Sequence, residues 1–168
     1  RLVTLASDLL GGSALPFKGT LFDKSPTTNW LVTWHQDLAL PLRARVEAAG
    51  WGPWSTKGGR LYALAPAEVL AGVVALRVHL DDSNSANGPL RVLPDTHQLG
   101  RLSEARIAAL AQSTPAVECH VPAGGIVALR PLAVHASSKS VSAVPRRVLH
   151  LEYAISVALG SGIELAVA

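Results

Sequence analysis

Apolar side chains recur along this chain in short bursts, and the spacing inside each burst predicts its element. Leu2, Leu5 and Leu9 fall at helical intervals and Gly11-Gly12 ends them, so residues 1–10 are expected to form a short helix. Phe17 to Lys24 reads as a strand that turns at Ser25-Pro26, and Trp30 to Asp37 as a second, with extended chain continuing from Leu38 to Val46. Gly50 to Gly59, rich in Gly and Trp, reads as a loop. Pro66 to Leu70 reads as one or two helical turns, with Pro at the start and Gly72 behind. Val73 to Asp81 then alternates. Val74, Leu76, Val78 and Leu80 form a core face, while Val73, Ala75, Arg77, His79 and Asp81 form a more polar face turned to water or into a polar cavity. Asn87-Gly88 predicts a hairpin-type turn into a strand at Leu90 to Leu93. Ser103 can cap a helix to about Ser113, with Ile107, Leu110 and Ala111 inward. Val117 to Val121, Ile126 to Arg130 and Arg146 to Ile155 supply further strands, separated by a tight turn at Pro122 to Gly125 and a small-residue loop from Ala136 to Pro145.

Many short strands with few helices define a mainly β protein, a β-sandwich or jelly roll. The 168 residues are expected to form one domain, 1–168, without repeats or linkers. Composition sharpens this. Hydrophobic residues make up 49% and charged residues 16%, as in a compact soluble protein. No apolar run approaches the roughly 20 residues that span a membrane. The net charge is +3 and Arg146-Arg147 is the only adjacent basic pair, so neither a nucleic-acid nor a membrane partner is expected. Cys119 is the single cysteine, read as a small buried hydrophobe in a reducing, cytoplasmic setting. The chain opens on Arg1 and holds no methionine, so its start is read as processed, trimmed or incomplete, with no signal-peptide pattern. Oligomeric state is not readable from these features.

The candidate chemistry centres on Trp34-His35-Gln36-Asp37. On an extended chain His35 and Asp37 share a face, and Gln36 points away from them into a supporting role. A second histidine would complete a 2-His-1-carboxylate triad, which leaves open coordination positions on Fe(II). Six histidines are present, and composition alone leaves the other five open. Context favours His135, which follows a strand-like run and enters a loop. Arg146 lies eleven residues further on (146 − 135) at a strand start, where its guanidinium suits a carboxylate, and Ser137 can add a hydroxyl. Arg77 and His79 on the polar face, and Trp54, Lys57 and Lys24, are candidate substrate contacts. His97 is read as structural, His120 and His150 as ordinary strand histidines.

Three stretches, in order, resemble the phytanoyl-CoA dioxygenase family of Fe(II)/2-oxoglutarate-dependent oxygenases. They are Trp34-His35-Gln36-Asp37; Leu80-Asp81-Asp82 leading to Asn87-Gly88-Pro89-Leu90 and on to Pro94-Asp95-Thr96-His97; and Arg130-Pro131 through His135-Ala136-Ser137, with Arg146-Arg147 and a final strand. They cover about residues 20–155. The resemblance implies a double-stranded β-helix, a cupin-like jelly roll with a few flanking helices. It implies His35, Asp37 and His135 as iron ligands, and Arg146, assisted by Ser137, as the site for the distal carboxylate of 2-oxoglutarate. The implied reaction consumes O2 and 2-oxoglutarate, releases succinate and CO2, and hydroxylates an unactivated C–H bond of a small molecule.

One departure is Asp95, which stands where the family places glycine. The tail after Ile155 is also short and the N-terminal region small, which would leave substrate recognition to missing elements or to a partner subunit. A halogenase would need Gly or Ala where Asp37 stands. A non-catalytic or zinc-holding cupin-like module would have no use for Arg146.

Overall fold

The computed structural model describes residues 1–167. Its elements run α1 (Leu2–Leu10), β1 (Leu15–Lys24), β2 (Val32–His35), β3 (Ala39–Leu42), β4 (Trp54–Lys57), β5 (Arg60–Leu64), α2 (Ala67–Ala71), β6 (Val73–His79), β7 (Leu90–Val92), α3 (Glu104–Ser113), β8 (Val117–Cys119), β9 (Ile126–Leu129), β10 (His135–Ser137) and β11 (Arg146–Ala154). One sheet has the order β1-β11-β6-β9 and a second β2-β10-β7-β8, both antiparallel throughout. Ala75 and Leu129 of the first sheet share a buried cluster with Leu90 of the second, so the two sheets face each other. This is the jelly roll. A third sheet, β3-β5-β4, extends the core, with Leu40, Leu42 and Ala63 packed on Phe17, Val73 and Leu132.

Period-two alternation decides which side chains meet the cavity. Along β11 Arg146, Val148, His150 and Glu152 turn inward and are buried, whereas Tyr153 turns outward and is buried against α1. Ala6 of α1 covers Val74, Leu76 and Tyr153 on the outer face of the first sheet. Ile107 of α3 covers Leu93, Val134 and Trp34 on the second. Ser103 caps α3 by accepting from Arg106 N–H at 3.3 Å. Burial of each such large side chain stabilises by about 1.5–3 kcal/mol, enough to hold a polar interior between the sheets.

Several expected elements are changed. Trp54 to Lys57, expected in a loop, is a strand, because Gly58 and Gly59 both take positive φ (55° and 74°) and turn it tightly onto β5. Asn87-Gly88 does not join paired strands. Ser85–Asn87 forms a single 3-10 turn, and Gly88 leads from the first sheet into the second. Extended chain ends at His35, and only Ala39–Leu42 of the following stretch is a strand. On β6 the expected core face is core only at Val74 and Leu76; Leu80 lies beyond the strand and is 47% exposed. Its polar face turns into the interior between the sheets, the cavity alternative of the two expected, and is buried as well. Asp95, where the resemblance places glycine, keeps a positive φ of 61°, a conformation that Asp tolerates better than most residues.

Candidate active site

Antiparallel pairing of β2 with β10 sets His35 directly across from His135. Their ring centroids lie 4.2 Å apart. Asp37 follows β2, anchored by its N–H to the Pro131 carbonyl at 2.9 Å. Its carboxylate spans the two rings, with Oδ1 3.4 Å from His35 Nε2 and Oδ2 3.5 Å from His135 Nε2. Each Nδ1 lies 2.8 Å from a main-chain carbonyl, Thr33 for His35 and Ala133 for His135. A carbonyl only accepts, so each neutral ring carries its proton on Nδ1 and presents the Nε2 lone pair to Asp37. One ligand atom from each of the three residues lies within 4.8 Å of the others. That donor set can hold one face of a divalent metal.

Gln36, between the two, faces away. Its amide donates to the Gly100 and Leu132 carbonyls at 2.8 and 2.7 Å, and its oxygen accepts from Leu102 N–H at 2.8 Å. It ties the end of β2 to two neighbouring segments and so fixes where Asp37 emerges.

The ionisation of the trio suits metal binding. Burial raises the Asp37 carboxyl, but the His35 contact and the neighbouring imidazoles outweigh it and hold it well below the usual carboxylate range. Burial brings His135 down to about 4, leaving it neutral. For His35 burial acts downward, but the Asp37 contact and the Thr33 carbonyl prevail, and the net shift is upward.

A basic pocket opens beside the trio. Arg146 is 2% exposed; its Nε donates to the Asn87 carbonyl at 3.0 Å and one Nη lies 3.5 Å from Ser137 Oγ. Among the described residues its other Nη has no hydrogen-bond partner. Lys24, 1% exposed, donates to Ser137 Oγ at 2.7 Å and to the Ser138 carbonyl. Ser137 in turn donates to the Gly88 carbonyl at 2.8 Å. Gly88 is required here: φ is 66°, and a Cβ would collide with the Ser138 carbonyl oxygen. Burial, then the charges of Arg146 and Arg77, pull Lys24 down to about 8.

Both groups open into one cavity of about 580 Å³. Arg77 and Lys57 line it, as do Lys24 and Gln36. Two other sequence candidates lie outside its wall. Trp54 packs into the core cluster around Leu40 and Ala63, beneath Arg45. His79 is 1% exposed near Arg77 and Arg146, and among the described residues neither ring nitrogen has a partner. His97 is exposed in a 3-10 turn, and exposed His120 pairs with Glu118 at 2.9 Å.

Sequence reasoning passed over Lys18, Tyr62, His150 and Glu152, all on the cavity wall. His150 Nδ1 accepts from Arg77 at 3.0 Å, and Glu152 pairs with Lys18 at 2.7 Å. The available signal was the alternation Lys18-x-Thr20-x-Phe22-x-Lys24, which puts a half-polar face on β1 opposite the half-polar face of β11.

Fold and site together define a class: a jelly roll carrying two histidines and a carboxylate beside a buried basic pocket. The profile of the phytanoyl-CoA dioxygenase family matches residues 2–148, and the chain belongs to that family. Among solved structures it is similar to AviO1 from Streptomyces viridochromogenes Tue57, at 27% identity and a TM-score of 0.65, over 91% of this chain and 56% of that one. It is similar to EctD from S. alaskensis with 2-oxoglutarate and 5-hydroxyectoine, at 20% identity and a TM-score of 0.65, over 92% of this chain and 49% of that one; EctD has also been solved with bound Fe. SnoK, a non-heme alpha ketoglutarate dependent carbocyclase from nogalamycin biosynthesis, matches at 17% identity and a TM-score of 0.64, over 92% of this chain and 55% of that one. The chain thus spans about half the length of these proteins. No curated protein sequence matches it significantly. Among the described residues no helix is long and apolar enough to cross a membrane.

Proposed function

We propose that this chain is an Fe(II)- and 2-oxoglutarate-dependent dioxygenase that hydroxylates an unactivated C–H bond of a small molecule. His35 Nε2, His135 Nε2 and the Asp37 carboxylate would hold the iron. Arg146, Ser137 and Lys24 would hold the distal carboxylate of 2-oxoglutarate. The residues present fit both groups: the two lone pairs and the carboxylate converge, and the pocket offers a cationic nitrogen that lacks an acceptor among the described residues.

The observation that carries the reading is Arg146, buried with a nitrogen that has no partner among the described residues, in the cavity that also holds the trio. A desolvated guanidinium N–H without an acceptor is costly, and a bound carboxylate supplies the acceptor in fork geometry. When bound, iron and 2-oxoglutarate supply the oxidising chemistry, in which O2 is consumed and succinate and CO2 are released. The chain's own residues bind and orient. Thr33 and Ala133 carbonyls fix the tautomers, Gln36 fixes the strand end, and Lys24 with Arg146 supplies positive charge to a dianion. Asp37 fills the place a halide would need, which favours hydroxylation over halogenation. Cys119 as a free thiol suits the reducing, cytoplasmic setting we assign.

The test is turnover. Supplied with Fe(II), 2-oxoglutarate and O2, the protein should release succinate, and Asp37→Ala should lose at least about 100-fold of that rate, since loss of one ligand strips metal binding and chemistry together. Equal succinate from both proteins would sink the proposal.

A further inference from the structure

The cavity has a second charged end, which the metal trio and the Arg146 pocket leave unused. In the β1–β11 register Lys24 stands beside Arg146, Thr20 beside His150 and Lys18 beside Glu152. All six line the cavity. Lys24 and Lys18 are six residues apart (24 − 18), about 20 Å along an extended strand. Asp37 runs directly into Leu38 and Ala39, and Ala39 pairs with Leu64 two residues from Tyr62, over which Lys18 stands, so the Lys18–Glu152 end adjoins the Asp37 side of the trio.

The β4–β5 hairpin closes that far end. Lys57 and Lys18 stand 5.8 and 5.9 Å from the centroid of the Tyr62 ring. Leu64, on the same face of β5 as Tyr62, lines the wall with Leu38 and Ala39. Glu152 is matched by Lys18 at 2.7 Å, whereas Lys57 has no carboxylate partner among the described residues. Across the cavity as a whole, five cations (Lys18, Lys24, Lys57, Arg77, Arg146) face two carboxylates (Asp37, Glu152), a surplus of three. A divalent metal and a dianionic co-substrate cancel each other, so the surplus persists in the loaded site. A cleft lined by one sign of charge concentrates ligands of the other.

We infer that the primary substrate is a small acid, a carboxylate or phosphate monoester with a short apolar body. Its anion seats on Lys57 and Lys18 beside Tyr62, and its body lies along Leu38, Ala39 and Leu64 toward the trio. This inference rests on the proposed function, which assigns the Arg146 end to 2-oxoglutarate.

The test is equilibrium binding. Protein loaded with Ni(II), which does not turn over, and saturating 2-oxoglutarate is titrated calorimetrically with hexanoate, hexyl phosphate and hexanol. At least one anion should bind about tenfold more tightly than hexanol, and which one does so separates carboxylate from phosphate. Lys57→Gln should remove about tenfold of the preferred anion's affinity and Lys57→Arg should restore most of it. The inference is overturned if neither anion binds more tightly than hexanol, or if Lys57→Gln leaves anion affinity unchanged. It is also overturned if the anion displaces 2-oxoglutarate, seen as loss of the visible chelate band of the Fe(II) protein. That band separates the two failures. Its absence from the wild-type protein with 2-oxoglutarate alone, before hexanoate or hexyl phosphate is added, defeats the proposed function, whereas a normal band with no anion preference defeats the substrate inference alone.

Discussion

At the scale of single residues, the site is governed by what burial does to charge. Lys24 is held at about 8 by desolvation and by the neighbouring arginines. A bound carboxylate favours the protonated amine, so affinity for 2-oxoglutarate should fall as pH rises through about 8. Lys24→Met should weaken binding about tenfold at pH 7 and flatten that dependence, as a co-substrate titration across pH would show. His79 behaves differently. Burial, then Arg77 and Arg146, lower it from 6.5 to about 4. Its folded pKa lies below its unfolded one, so between about 6.5 and 4 the unfolded chain takes up a proton that the folded chain refuses. Stability should therefore drop as pH falls through that window. His79→Phe should reduce the drop in Tm between pH 7 and pH 5 by several degrees. His35, Asp37, His135, Ser137 and Arg146 stood out in the sequence because motif order singles them out. Lys18 and His150 were passed over because one lysine or histidine on a strand looks the same whether it faces water or a cavity. Only the β1–β11 register makes them cavity residues.

At the scale of elements, turns set the geometry that strands then hold. Gly88 lets the chain cross between the two sheets while touching the loop after β10. Gly88→Ala must both strain a positive φ and push away the Ser138 carbonyl, and with it Ser137 and the amine of Lys24. The expected cost is about 1–3 kcal/mol of stability, with weaker 2-oxoglutarate binding, measurable as a fall in Tm together with a shifted titration. Long alternating elements, β1, β6 and β11, were legible with errors of a residue or two. The hairpin of β4 and β5 was not. Four residues between Gly-Pro and Gly-Gly carry too little periodicity to tell a strand from a loop, and the glycines that signalled a loop are the ones that close the hairpin. Asn87-Gly88 misled in the opposite direction: a strong local turn signal carries no information about which sheet the next strand joins.

At the scale of the whole molecule, an apolar shell supports a polar interior. α1 and α3 cover the outer faces, the third sheet closes one end, and the inner faces of β1, β6 and β11 are left to charged and aromatic side chains. A β-sandwich or jelly roll was legible from strand number and turn signals, and the family resemblance chose the jelly roll, but the cavity's division into two charged ends was not legible, because it depends on pairings between β1 and β11 more than a hundred residues apart. On the proposed function, the histidine–aspartate trio and Arg146 serve a single chelate. Anaerobic titration of the Fe(II)-loaded protein with 2-oxoglutarate, followed in the visible, tests it most directly. A charge-transfer band should saturate at one 2-oxoglutarate per chain and need at least about tenfold more co-substrate to reach half-saturation in Arg146→Ala. A wild-type protein that binds Fe(II) yet shows no band, or a band indifferent to Arg146→Ala, would contradict it.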